Sequence, residues 1–215
     1  VKSLAAQERG LAILLAALAG YVDSLGFLHL GGLFVSFMSG NSTRLAANLA
    51  QADWKAAVTA GGLLALFVVG AMLGALAAGA GGPRSRSRVL MLETALLTAA
   101  ASAAVVGLAP VTVALMVLAM AVENSVFLRN GEVGVSLTYM TGTLVKMGQA
   151  LASAVRGGDP WAFRPYLALW AGLTGGALLG AVSYGIVGLA ALWGAAALSG
   201  VLVLVTVFSR AAETS

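Results

Sequence analysis

Two carboxylic acids stand inside apolar runs, Asp23 in LAGYVDSLGFLHL and Glu123 in LAMAVENSVFLRN. An ionisable group among hydrocarbon is costly unless it faces protein or a water-filled cavity. Each is therefore a candidate for holding a proton, a cation or a cationic side chain. Arg44 and Lys146 stand at matching places in the segments that follow them. They could pair with the acids (Asp23 with Lys146, Glu123 with Arg44), attract an anion, or snorkel to an interface. A carboxylate pair also raises the chemistry of an aspartyl-protease dyad, but the YD and GxGD contexts of intramembrane aspartyl enzymes are missing. The chain has no cysteine and a single histidine, His29. That removes thiol catalysis, disulfides and any all-protein metal site needing two imidazoles. His29 is not beside a G-x-S-x-G elbow either, and near a span end it reads as a solvated interfacial residue. The sequence therefore predicts no enzyme, no cofactor and no metal site.

The acids belong to a repeated phrase. GLFVSFMSGNSTRLA (32–46) is echoed by GVSLTYMTGTLVKMG (134–148). Asp23, Phe27 and Leu28 match Glu123, Phe127 and Leu128 at a spacing of 100 residues. After a two-residue insertion, Phe37, Met38, Ser39, Gly40, Asn41 and Arg44 match Tyr139, Met140, Thr141, Gly142, Thr143 and Lys146. The same shift carries Gly70 and Gly74 onto Gly172 and Gly176. Agreement at this many separated features argues for an internal duplication, with units at 9–108 and 109–210 in one membrane domain.

Elements that could position these residues follow from composition. Of 215 residues 60% are hydrophobic and 9% charged, where a soluble domain has about 25% charged. The chain is an integral membrane protein whose partner is the bilayer. Its net charge of +4 comes from the Lys/Arg excess of cytoplasmic loops and does not point to nucleic acid. Six stretches approach the roughly 20 apolar residues of a spanning helix: 11–30, 56–80, 89–108, 111–128, 166–184 and 187–208. The first reads as a retained span; its Ala17-Leu18-Ala19 also resembles a signal-peptidase site. With six spans, Lys2, Arg9, Arg84, Arg86, Arg88, Arg156, Arg164 and Arg210 share one side. That positive-inside pattern predicts both termini in the cytoplasm of a bacterial inner membrane.

Three spans per unit is an odd number, so the second unit enters from the opposite face. Inverted repeats hold substrate near the midplane, about their common axis. Gly31–Met38 reads as an inward extended segment, and Ser39-Gly40-Asn41-Ser42-Thr43 as the capped start of a half-helix running back to Gln51. Thr141-Gly142-Thr143 would start its partner. Such broken backbone is tolerated only in protein or at a cavity, and a half-helix N-terminus can hold an anion. The expected substrate or ion site is Asp23, Glu123 and Asn124 with Ser39, Gly40, Asn41, Thr141, Gly142, Thr143, Arg44 and Lys146. Phe27, Phe37, Phe127 and Tyr139 are candidate gates, though aromatics at this spacing more often pack a core. Gly70/Gly74 and Gly172/Gly176/Gly180 are small-residue faces for close helix packing, within the chain or across a homodimer.

The run GYVDSLGFLHLGGLFVSFMSGNSTRLA resembles the signature of the YoaK-like family, small bacterial inner-membrane proteins with a domain of unknown function. The matching residues are Gly20, Tyr21, Asp23, Phe27, Phe34, Met38, Ser39, Gly40, Asn41 and Ser42. The resemblance implies a polytopic membrane protein, sometimes described as a transporter, with no substrate attached. The residues themselves favour a proton-coupled secondary transporter of a small polar or anionic solute. The alternatives are a channel, an intramembrane enzyme, or a structural or sensory protein.

Overall fold

The structure, a computed structural model, describes residues 6–79, 85–129, 132–133 and 138–214. The chain is almost entirely helical: α1 Ala6–His29, α2 Met38–Ala50, α3 Trp54–Ala78, α4 Ser85–Val105, α5 Ala109–Glu123, α6 Met140–Val155, α7 Arg164–Val187 and α8 Leu192–Thr214. Two-residue strands, β1 Leu128–Arg129 and β2 Glu132–Val133, pair antiparallel after α5. They were not expected from the sequence.

Among the described residues four stretches are long and apolar enough to cross a membrane: Glu8–His29, Trp54–Ala78, Ser85–Val105 and Arg164–Phe208. The last is 45 residues and contains both expected C-terminal spans. They are separated at Gly188, whose φ of 59° is a left-handed conformation that glycine adopts without a Cβ penalty; the 3₁₀ turn Gly188–Ala191 follows. The fourth expected span, 111–128, is shorter than its apolar run. Helix α5 stops at Glu123, because the next residues turn into the hairpin. Its 15 residues reach about 22 Å at 1.5 Å per residue, against a hydrocarbon core of about 30 Å.

Helix packing pairs the halves. Helix α1 lies against α7 over its length, with Gly172 on Ile13, Gly176 on Ala17, and Gly180 on Tyr21 and Ser24. His29 Nδ1 is 3.3 Å from the Tyr184 hydroxyl further along. Residue numbers rise together on both helices, so the two run parallel. Helices α3 and α5 repeat this arrangement: Gly70 meets Leu118 and Ala121, and Gly74 meets Val122 and Ser125. Helices α4 and α8 pack together, joined by Thr94 Oγ1 and Ser199 Oγ at 2.8 Å. The glycine faces are thus occupied inside the chain. A homodimer through those faces would have to displace α1 or α5.

In hydrocarbon, water provides no drive to bring apolar helices together, so stability comes from dispersion and from close backbone approach at small residues. Leu15, Leu18, Leu25, Leu90, Leu97, Met116, Met120, Leu169 and Leu192 are fully buried between the helices. Val58, Val68, Met72, Leu76, Leu178, Val182 and Ile186 lie outward, as a lipid-facing surface requires. The starts of α1 and α4 and the exit from α5 gather at one end of the molecule. There Arg86 donates to Glu8 at 2.8 Å and sits 5.2 Å above the Phe127 ring.

Candidate functional site

Asp23 lies six residues before the end of α1. The chain leaves α1 through Gly31 and Gly32, turns back, and brings Val35 and Ser36 alongside it. Their backbone N–H groups donate to one Asp23 carboxylate oxygen at 2.8 and 2.7 Å. These charge-assisted bonds fix the depth of the returning segment. Asn41, fully buried on α2, locks it from the other side: its Oδ1 accepts from Phe34 N at 2.9 Å and its Nδ2 donates to Phe34 O at 2.7 Å. An asparagine suits this position because one planar amide both donates and accepts.

The start of α2 differs from the expected cap. The helix begins at Met38, the N-cap is Phe37, and no side chain caps it. Ser39 already lies within the first turn. Ser42 and Thr43 donate back to the carbonyls of Met38 and Ser39. Gly40 has a steric explanation: a Cβ there would sit 2.6 Å from the Phe37 ring. Tyr139 covers Gly142 in the same way, so no Cβ fits there either. The repeated aromatic-Met-Ser/Thr-Gly phrase is thus a ring folded over the first helical turn.

Glu123 has other surroundings. It is fully buried, as is Glu93 on α4. Helices α4 and α5 form a tight antiparallel hairpin through Val106–Leu108, which sets the two glutamates facing one another, and Glu93 is the charged neighbour of Glu123. None of their four carboxyl oxygens has a hydrogen-bond partner among the described residues. Beside Glu123, Asn124 accepts from Thr138 Oγ1 at 3.2 Å and donates to Met120 O at 3.0 Å. It ties α5 to the segment that enters α6.

The expected site is therefore only partly assembled. Asp23, Asn41 and the α2 entry form one cluster; Glu123 forms another, with Glu93. Among the described residues the two acids share no partner. Arg44 and Lys146 are exposed, and Arg44 lies against Gly32. Among the described residues the expected ion pairs of Arg44 and Lys146 with the acids do not form. Thr143 is buried on the inner face of α6, while Ser39 and Thr141 face outward. Phe27 and Phe37 belong to a ring ladder through Phe34, with centroids 4.9 and 5.2 Å apart. Tyr139 is exposed, whereas Phe127 is buried beneath Arg86. Of the echoed phrase 134–148, residues 134–137 lie outside the described residues. Glu93 was not expected, although the sequence held the same signal, an acid within the apolar run VLMLETALL.

Residues 11–205 match the family described as protein of unknown function (DUF1275). A relative from Rhizobium meliloti (strain 1021), "UPF0700 transmembrane protein RA0705", is 32% identical over 186 residues, covering 86% of this chain and 80% of its own length. No solved structure matches. The chain belongs to the DUF1275 family and is a multi-pass membrane protein.

Proposed function

We propose that this DUF1275 protein is a proton-coupled secondary transporter of a small polar or anionic solute. It works between two inverted three-span units in a bacterial inner membrane, with both termini cytoplasmic. One observation carries the reading. The first helix of each unit bears an intramembrane acid and packs, in parallel, on the second long helix of the other unit: α1 on α7 and α5 on α3. Reciprocal pairing of this kind is what a pseudo-two-fold axis in the membrane plane generates, and transport sites in such folds lie on that axis.

Helix directions support the six-span count. If α1 runs outward, α7 runs outward with it, and α3 and α5 both run inward. The short α2 and α6 then return to the face from which they entered, as re-entrant elements. The extended backbone before α2 is satisfied by Asp23 and Asn41, the condition for irregular chain at membrane depth. Because Asp23 already engages the Val35 and Ser36 amides, a solute would draw on other polar groups of the expected site, Asn124 and Thr143 among them.

The experiment is uptake by proteoliposomes. Solutes that raise the melting temperature of the purified protein are loaded against an imposed pH gradient. The reading expects saturable uptake that depends on the gradient. Uptake that ignores the gradient, or that does not saturate, contradicts a coupled carrier; the non-saturating case is the behaviour of a channel.

A further inference from the structure

We propose that Glu93 and Glu123 form a two-carboxyl proton site at the α4–α5 interface, and that this pair, rather than Asp23, carries the coupling proton. The inference rests on the transport reading for its purpose, though not for its chemistry. Asp23 is engaged by two backbone amides and has a positioning role. Glu93 and Glu123 are both fully buried, and all four of their oxygens lack a partner among the described residues.

Two neighbouring carboxylates cannot both stay ionised in a dry interior without a counter-ion. The described charged or titratable groups on the helices packed around the pair are Lys55 on α3, Arg86 and Arg88 on α4 itself, and Glu8, Arg9, Asp23, His29 and Tyr21 on α1, the last donating its hydroxyl to the Ala191 carbonyl. None of them engages the glutamates, whose charged interaction is with each other. Arg86 is taken by Glu8 and by the Phe127 ring, Arg88 donates to the Ala78 carbonyl, and Asp23 is held by its amides. On α8, Ser199 is satisfied by Thr94. The described side chains of α8 bring no charge to the pair.

A metal cation fits poorly. Hard cations want about six or more oxygen ligands, and no group of three acids or histidines gathers among the described residues. A proton needs only two oxygens: one glutamate bears it as O–H and the other accepts the hydrogen bond as carboxylate. Binding converts one carboxylate to the acid; release returns the proton to water and leaves two like charges facing across α4 and α5. That repulsion favours separation of the helices and gives the pair a way to drive opening. Phe127, four residues after Glu123, is buried with Arg86 over its ring.

The test is infrared spectroscopy of the full chain in liposomes, which needs no solute. Expected at neutral pH is a protonated-carboxyl C=O band that moves in heavy water and fades as the pH is raised. It should shift in Glu93→Gln and in Glu123→Gln, vanish in the double variant, and persist in Asp23→Asn. Replacing potassium by sodium should leave it unchanged. A wild-type protein without the band overturns the proposal, as does a band that survives in the double variant or is erased by sodium or potassium. If a glutamine variant fails to fold, the band's presence in wild type and its response to pH and cations still decide. Should the band behave as expected while the variants keep gradient-driven uptake, the proton site stands and its coupling role falls. Should uptake remain coupled in a protein that lacks the band, transport stands and the pair falls.

Discussion

Asn41 contributes more to the local structure than its single side chain suggests. Its amide closes two bonds onto Phe34, so Asn41→Ala leaves a buried N–H and C=O without partners. Each stranded group costs about 1–3 kcal/mol, and the expected result is a clearly lowered melting temperature in detergent. Asp23→Asn keeps an acceptor for Val35 and Ser36 but loses the charge, so a smaller loss is expected, on the order of 1 kcal/mol. A reversed order, with Asn41→Ala the milder variant, would count against this account of the α2 entry. At this scale the sequence was legible wherever polarity clashed with its surroundings. Asp23 and Glu123 stood out for that reason, and each is engaged or buried, whereas Asn41 stood out through the repeated phrase. Glu93 satisfied the same rule, but it lies outside the repeated phrase and has no counterpart there, so reasoning from symmetry passed over it. The partners of the acids were not legible, because backbone amides leave no trace in composition.

At the scale of elements, the α1–α7 contact is so close that Gly20 and Gly176 each face the backbone of the opposite helix. A Cβ at either position meets a carbonyl that cannot swing aside, and the helices must separate. Gly176→Ala is expected to destabilise the protein by about 1–3 kcal/mol, as over-packing typically does. Gly175→Ala is its control: nothing lies within 4 Å of a Cβ there, and alanine favours helix by a few tenths to about 1 kcal/mol. Thermal unfolding of the two variants should therefore move in opposite directions, and equal losses would remove the argument. The glycine ladders announced close packing in the sequence; which helix they would meet depends on the tertiary arrangement and was not legible. Element ends were least legible. Helix α2 starts earlier than its serine cap suggested because Phe37 folds over Gly40, and α5 ends early because its apolar run continues into a turn and a hairpin, which apolar character alone cannot distinguish from helix.

Across the whole molecule, the account depends on direction: α1, α4 and α7 cross one way and α3, α5 and α8 the other, with the second unit inverted. The charge bias of the loops predicts that orientation, and the parallel pairing of α1 with α7 and of α3 with α5 is compatible with it. The absence of native cysteine allows single cysteines to be read without background. The most direct measurement is labelling of intact cells with a membrane-impermeant thiol reagent, using Gln51→Cys, Val106→Cys and Asp159→Cys. The account expects Gln51→Cys and Val106→Cys to react from outside and Asp159→Cys to react only after the membrane is opened. Asp159→Cys reacting from outside together with Gln51→Cys would contradict it, since the turns before α3 and α7 would then share a face and the two units would point the same way.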